Sequence, residues 1–483
     1  MVSIENIINE LRKKNIEEEK LKEIEKSYLI AKEIHKNQFR QSGEPYIIHP
    51  LNVANNLLKM EVYDPDTISA ALLHDTIEDA EIDFTKEDVA ELINPTVAEL
   101  VDGVTKMRRM NFSTKDDQRI ANTRKIINGL TKDVRIILIK LADRLHNMET
   151  LQYKTPDKQK ENAIETMELF VPLSLSIGAY QIKNLLEDLS LPYIQRDEYK
   201  KIKDYKEVLL QEKEEAMQEM AYKIDLELDK KEITHQKILR SQTIGSIYKK
   251  IKKGYKMDNI YDLFYWKYLV PEIEDCYQTL CIVHKNNPPI NGRFKDYIFN
   301  PRTNFYQSLH TTVSDNNSSL VKVKIRTFDM DKVAAYGISA YWNLENGKTK
   351  EETQEVIREK CQFAKKLIEI DESFEDNAEF IEKIKKELLT NHVYIYNQTN
   401  GEIVELPKGS TTLDFACQVF PDQLDKMTGV IVNGKEVPFN TVLKNNDRIQ
   451  IITKGKVNHE DWEKYAYTPT AKQKIKLLID KTK

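Results

Sequence analysis

The sequence is short of the features that assign chains to several large classes. It has four cysteines, Cys276, Cys281, Cys361 and Cys417. No two form a C-x-x-C pair, so neither a zinc knuckle nor a disulfide framework is expected. No apolar run approaches the roughly 20 residues of a membrane-spanning helix. The opening stretch, MVSIENIINELRKKN, mixes polar and apolar residues and lacks a signal-peptide core. Excess charge of one sign is also lacking: Lys and Arg total 73 against 78 Asp and Glu, a formal −5. Overall charge therefore argues for neither nucleic acid nor a membrane surface, and a polyphosphate ligand would need a local basic cluster. Internal repeats and low-complexity tracts are missing. A soluble protein in a reducing, cytoplasmic setting is the expectation.

What is present suits several packed cores. Of 483 residues, 40% are apolar and 31% charged, which favours more than one domain. Residues 1–195 read as nearly all helix. Asp64-Pro65 looks like a cap followed by proline at the first helical position, and Ile68, Ala71 and Leu72 continue at helical spacing. A second helix starts near Asp133 in DVRIILIKLADRLHNM. Its first half is apolar nearly all round, so it should be buried. The charge-rich stretch 196–235 reads as a solvated linker helix. Residues 236–345 alternate short strands and helices, an α/β pattern, and 346–388 return to charged helix. Residues 389–455 form a small β-rich module with two hairpin signals, Asn400-Gly401 and Asn433-Gly434. A helical tail, 456–483, follows.

One constellation carries chemistry. His74 and Asp75 are expected on a helix, with Glu78 and Asp79 one turn further along the same faces. An imidazole and three carboxylates on an apolar helix desolvate badly unless a cation accepts them. A divalent metal resolves this, and His49 and Asp143 are the natural completing ligands. Residue types alone leave Mn, Fe, Zn and Mg open. Arg144 and Lys106 are weaker candidates for offsetting phosphate charge. His35 and His146 read as packing or capping histidines.

The run from QFRQSGEPYIIHPLNVA through AALLHDTIEDA and LVDGVTKM to ILIKLADRLHNMETL resembles the HD-type hydrolase domain of RelA/SpoT homologues, bacterial enzymes of (p)ppGpp turnover. The resemblance implies Mn2+ held by His49, His74, Asp75 and Asp143. It makes Glu78 and Asp79 the pair that positions and activates the attacking water. It places Arg40, Ser42, Tyr46, Lys140, Asn147 and Thr150 at the guanosine nucleotide. Gln41 stands where the family usually has Lys.

Residues 236–345 resemble the family's (p)ppGpp synthetase domain, through GRFKDYI at 292–298 and NFYQSLHTTV at 304–313. Arg240, Lys250, Asp262, Lys295, Tyr306 and His310 fall at matching positions, Tyr306 where a guanine stacks and Asp262 where Mg2+ binds. The departures matter more. Lys322 replaces the Glu that binds Mg2+ and activates the ribose hydroxyl; a lysine ammonium can do neither. Lys324 replaces a Gln, Gln242 a phosphate-binding Lys, Lys267 an Arg, and Phe305 a Gly. Ala335 and Tyr341 replace a Glu and a His. A degenerate site with no synthetase activity, and no bound Mg2+, is expected; the sequence leaves open whether the domain still binds a guanine nucleotide weakly and influences the hydrolase or serves only as a structural partner.

Residues 389–455 resemble the TGS domain, a β-grasp module used by long family members to contact tRNA or regulatory proteins. Lys408, Lys426, Lys435 and Arg448 are mixed with carboxylates, so no RNA-binding patch emerges. The family's further C-terminal regions have no counterpart in the sequence, so ribosomal starvation sensing is not expected. The fold expected is thus multidomain: an all-α hydrolase domain, a mixed α/β synthetase-like domain and a β-grasp module. The expected activity is Mn-dependent (p)ppGpp hydrolysis. The alternatives are a bifunctional synthetase/hydrolase, an HD phosphohydrolase for another nucleotide, and a non-catalytic guanine-nucleotide sensor acting through the TGS domain. Nothing in the sequence specifies the oligomeric state.

Overall fold

Polar caps and apolar stripes account for the helices among the described residues up to 195 of the computed structural model. The structure describes residues 2–79, 84–105, 133–260, 262–299, 306–314, 320–343, 392–399, 403–444, 447–453 and 461–482. The chain divides into two compact units, Met1–Ile384 and Lys385–Lys483. Among the described residues, no helix is long and apolar enough to cross a membrane.

Three helices of the first unit position the metal-site candidates. Helix Pro65–Leu73 begins as expected, with Asp64 Oδ2 accepting from Thr67 N at 3.1 Å and Pro65 in the first turn. Helix Ile48–Lys59 packs beside it. Helix Arg135–Glu149 runs through the middle of the domain and is buried on nearly every side. Arg135 ties two of these helix starts together, its Nη1 donating to Asp64 Oδ2 at 3.0 Å.

The helix carrying His74 ends sooner than the sequence suggests. It stops at Leu73, His74 and Asp75 form a turn, and a short helix, Thr76–Asp79, follows. Side chains satisfy the carbonyls that the break exposes. His74 Nδ1 donates to Ala71 O at 2.8 Å, and Thr76 Oγ1 donates to Leu73 O at 2.6 Å. The break turns both His74 and Asp75 inward.

The second domain of this unit is built on a five-stranded sheet, ordered β1-β2-β5-β4-β3 among the described residues. The strands are β1 (Gln236–Ser241), β2 (Phe264–Val270), β3 (Lys295–Asp296), β4 (Leu309–Ser314) and β5 (Leu320–Thr327). Strand alternation divides the sheet's faces. Trp266, Tyr268, Val321, Val323 and Ile325 point into the core. Tyr265, Lys267, Lys322, Lys324 and Arg326 line the other face, with β2 and β5 paired in parallel.

The charge-rich stretch is indeed a helix, Arg196–Lys230, but it is not a solvated linker. Met217, Met220, Ala221, Ile224 and Leu228 pack into the sheet's core. Met217 O accepts the indole N–H of Trp266 at 3.0 Å. Where this domain meets the helical domain, Gly337 (φ +61°) lies so close to the Ile177 carbonyl that a Cβ would sit 2.0 Å from its oxygen. Ile338 N donates to that oxygen at 3.0 Å, and Ser339 Oγ donates to Met60 O at 2.8 Å. The expected helix over 346–388 lies outside the described residues.

The second unit carries the small β-rich module: β6 (His392–Asn397), β7 (Ile403–Pro407), β8 (Gly429–Val432), β9 (Lys435–Val437) and β10 (Arg448–Ile452). The order is β7-β6-β10-β8-β9, with β6 and β10 parallel, and helix Thr412–Val419 packs into the same core. Asn433 (φ 52°) and Gly434 (φ 80°) turn β8 into β9, as their pairing predicts. The turn at Asn400-Gly401 lies outside the described residues, although β6 and β7 pair antiparallel around it. The helical tail is part of this core and not an appendage. Trp462, Ala471 and Ile475 are buried in it, and Asp414 Oδ1 accepts from Thr468 N at 2.7 Å.

Candidate functional site

Helix Ile48–Lys59 supplies His49, the turn supplies His74 and Asp75, and helix Arg135–Glu149 supplies Asp143. All four are buried. His49 Nε2 lies 3.5 Å from Asp75 Oδ2 and 3.3 Å from Asp143 Oδ1. His74 Nε2 lies 3.1 Å from Asp75 Oδ2 and 3.9 Å from Asp143 Oδ1. Among the described residues, His49, His74 and Asp143 offer ligand atoms within 4.8 Å of one another.

Hydrogen bonding fixes what each histidine presents. A carbonyl can only accept, so the proton of His74 sits on Nδ1, towards Ala71 O. Its buried Nε2 has no hydrogen-bond partner among the described residues and faces two carboxylates. His49 is fixed through His146. Arg40 Nη1 lies 3.3 Å from His146 Nδ1, and a guanidinium can only donate, so that nitrogen accepts. His49 Nδ1, 2.8 Å from the same atom, must then carry its own proton. Burial, with His49 and Arg40 nearby, pushes the His146 pKa down to about 3, so it stays a neutral acceptor. His49 therefore also presents Nε2 to the carboxylates.

Two imidazole lone pairs facing two carboxylates in a buried space repel unless a cation sits among them. The donor set, two imidazole nitrogens and two carboxylate oxygens, suits a divalent metal ion. The charge balance agrees. Burial opposes a proton on His74, yet adjacent Asp75 raises its pKa, so without a cation a proton is drawn to the position facing the carboxylates. Burial would raise Asp143, but the His49 imidazole and the charge of Lys140 hold it well below the usual carboxylate range.

Other candidates gather around this centre. Tyr46 OH donates to Asp75 Oδ2 at 2.7 Å, and Lys140 Nζ lies 3.9 Å from Asp143 Oδ2. Asn147 Nδ2 donates to Asp143 Oδ1 at 2.6 Å. Arg40 Nη2 donates to Asn147 Oδ1 at 3.1 Å and to Thr150 Oγ1 at 3.3 Å. Ser42 stands apart, its Oγ bonded to Glu44 Oε2 at 3.1 Å on the turn after Arg40. Glu78 N bonds to Asp75 O at 3.2 Å, which seats Glu78 directly behind the ligand turn. Asp79 ends the same short helix; its side chain is not among the described ones. Arg144 is committed elsewhere: it pairs with Glu165 and stacks on Phe170 at 4.1 Å. Lys106 lies outside the described residues.

Sequence reasoning missed His146. Its position one turn from Asp143 placed it near the site, but only the tertiary packing shows it locking His49. His35 is the packing residue expected, with Nδ1 2.7 Å from Gln38 Oε1 and its ring 4.7 Å from that of Tyr46.

The sheet domain holds the second set. Asp262 is bracketed by two lysines, Lys250 Nζ at 2.6 Å from Oδ1 and Lys322 Nζ at 3.4 Å from Oδ2. Gln242 Nε2 donates to Asp262 O at 2.7 Å. Lys267 and Arg326 share Asp331, at 2.7 and 2.9 Å. Tyr306 OH lies 2.7 Å from His310 Nε2, and Tyr180, from the helical domain, meets the Tyr306 ring edge-on at 5.7 Å. Lys295 pairs with His310 across β3 and β4; Arg240 pairs with Tyr265 across β1 and β2. Phe305 lies outside the described residues, as does the side chain of Tyr341.

Three known families match along the chain: the HD domain over residues 27–179, the region found in RelA / SpoT proteins over 239–349, and the TGS domain over 393–453. A protein of Escherichia coli K12 named bifunctional (p)ppGpp synthase/hydrolase SpoT is 36% identical over 479 residues, covering 99% of this chain and 67% of its own length. The chain belongs to the RelA/SpoT family. A guanosine-3′,5′-bis(diphosphate) 3′-pyrophosphohydrolase of Haemophilus influenzae is 37% identical, over 93% of this chain and 66% of that protein. A GTP pyrophosphokinase of Myxococcus xanthus is 36% identical, over 94% of this chain and 60% of that protein. The chain thus spans 60% to 67% of the length of these RelA/SpoT relatives. Relatives named as a pyrophosphokinase, as a 3′-pyrophosphohydrolase and as a bifunctional synthase/hydrolase are all 36% or 37% identical, so identity does not separate these activities.

Proposed function

We propose that this chain is a cytoplasmic alarmone hydrolase that removes the 3′-diphosphate of (p)ppGpp as pyrophosphate, leaving GDP or GTP. The carrying observation is the convergence of His49, His74, Asp75 and Asp143, with both imidazoles held to present Nε2. These four residues would hold one Mn2+ per chain. The ion would supply Lewis acidity and bring the pKa of a water towards neutrality.

The chain's own residues do the rest. Glu78 or Asp79 accepts the proton of the water as its oxygen bonds to phosphorus. The bond from phosphorus to the ribose 3′ oxygen breaks, and that oxygen takes a proton to become the free hydroxyl. Lys140 offsets charge on the phosphates. Arg40, Asn147 and Thr150, already joined by hydrogen bonds, make the nucleoside subsite. Tyr46 holds Asp75 in place, and Ser42 reaches the nucleotide from the turn. Pyrophosphate release from ppGpp with Mn2+, abolished by His74→Ala, is the expected result. Turnover of another nucleotide with none of ppGpp would overturn the substrate assignment.

The sheet domain makes no alarmone in this reading. In its support, the single Mg2+-type carboxylate in the set, Asp262, is engaged by two ammonium groups, and Lys322 stands where a general base is required. Incubating the Asp75→Ala variant with ATP, GDP and Mg2+ should give no ppGpp; its appearance would establish the bifunctional reading. The TGS domain is assigned no chemistry, and a regulatory protein or tRNA is the class of partner that the relationship suggests.

A further inference from the structure

The groups that orient two of the metal-site candidates also hold Arg40. Arg40, Asn147 and Thr150 are partly exposed, whereas His146, His49 and Asp143 behind them are buried. From this rim the Arg40 guanidinium reaches inward along two routes. In the first, Nη1 lies 3.3 Å from His146 Nδ1, and His49 Nδ1 lies 2.8 Å from that same atom. The accepting nitrogen of a neutral imidazole has one lone pair, so Arg40 and His49 share it. In the second, Nη2 donates to Asn147 Oδ1 at 3.1 Å, and Asn147 Nδ2 donates to Asp143 Oδ1 at 2.6 Å. That carboxylate oxygen also faces His49 Nε2 at 3.3 Å and His74 Nε2 at 3.9 Å.

We infer that Arg40 is a positioning residue that restrains the metal centre until a nucleoside takes its guanidinium, so that nucleoside and metal ion bind with positive cooperativity. Both routes give this sign. Withdrawing Nη1 leaves the whole His146 lone pair to the His49 N–H. A stronger hydrogen bond there makes His49 Nε2 a more basic ligand for a cation. Withdrawing Nη2 depolarises the Asn147 amide, because linked hydrogen bonds strengthen one another. Asn147 then grips Asp143 Oδ1 less, and that oxygen is freer to bind the ion. Linkage makes the effect reciprocal: whatever factor the nucleoside adds to metal affinity, the metal adds to nucleoside affinity. The inference rests on the reading that Arg40, Asn147 and Thr150 make the nucleoside subsite.

Titrating the metal-free full chain with Mn2+, with and without guanosine, tests it; guanosine carries no phosphate to chelate the ion. Guanosine should raise Mn2+ affinity roughly fivefold to tenfold, and Mn2+ should raise guanosine affinity by the same factor. Arg40→Met keeps most of the side-chain length and lacks the donors. Without guanosine it should bind Mn2+ about as tightly as the unaltered chain does with it, and guanosine should leave its Mn2+ affinity unchanged. Circular dichroism checks that each variant folds, and the guanosine arm on the unaltered chain needs no variant. Adding His146→Ala and Asn147→Ala removes both routes, and the gain from Arg40→Met should vanish in that background. A gain of the same size there would make Arg40 only a like charge near the ion and overturn the proposal. Lower Mn2+ affinity in Arg40→Met, or guanosine that binds the unaltered chain without altering its Mn2+ affinity, overturns it as well. Failure of the underlying reading looks different: guanosine then does not bind and ppGpp is not turned over, yet Arg40→Met still tightens Mn2+.

Discussion

The helical and sheet domains solve one electrostatic problem in opposite ways. Around His74 the chain gathers lone pairs and carboxylates and leaves the positive charge to be supplied. Around Asp262 it supplies the positive charge itself, from Lys250 and Lys322. A borrowed cation has coordination positions open to water and substrate, so it can activate a nucleophile. A tethered ammonium can hold phosphates but has no position at which to activate water. The difference between a metal and a lysine is thus the difference between breaking a bond and holding a ligand.

The strongest challenge to this contrast is to remove a borrowed-cation ligand. His74→Ala should lower (p)ppGpp turnover by roughly a thousandfold or more and cut tightly bound metal below one ion per chain, measured by elemental analysis. Turnover that survives without bound metal would break the comparison at its first term. A change at His146 then sharpens it. His146→Ala removes the acceptor that orients His49, and metal affinity should fall roughly tenfold to a hundredfold. Titration of the apoprotein with Mn2+ reads this directly. A merely structural role would lower thermal stability and leave metal affinity unchanged.

How far the sequence reveals these centres depends on range. Helix Arg135–Glu149 was legible because its apolar residues repeat on every face, and the Asp64 cap because Pro65 follows it. All four metal-site candidates were legible through the family resemblance and through the density of ionisable groups near His74. The break at His74 was not, because ALLHDTIED is locally good helix sequence. It depends on His74 and Thr76 taking carbonyls of the preceding turn. The role of His146 was hidden for a different reason, since it depends on Arg40, 106 residues away. The buried face of Arg196–Lys230 was present at helical spacing, as Met217, Met220, Ala221, Ile224 and Leu228. The abundance of charge around that stripe obscured it.

The two domains are also joined, and the joint can be tested separately. Gly337→Ala would place a methyl against the Ile177 carbonyl at a backbone angle that L-residues rarely adopt. It should destabilise the first unit by about 2 kcal/mol or more, read by denaturant unfolding. If stability falls and (p)ppGpp turnover per folded molecule does not, the helical centre works independently of how the sheet domain is seated.

The smallest expected effect tests whether the sheet domain's cations are held at a cost. Replacing Lys324 by Met keeps most of the side-chain shape and removes an amine that makes no ion pair among the described residues. The variant should be more stable than the parent at neutral pH, by about 1 kcal/mol. The sign with pH follows from the lowered folded-state pKa. The unfolded chain holds a proton that the folded chain releases more readily, so the parent's stability rises as pH climbs towards the ordinary lysine value. The advantage of Lys324→Met should therefore shrink across that alkaline range, as followed by urea denaturation at several pH values. A variant less stable at every pH would mean that Lys324 already has its compensation within the fold. The cationic face would then be a finished piece of structure and not one waiting for an anion.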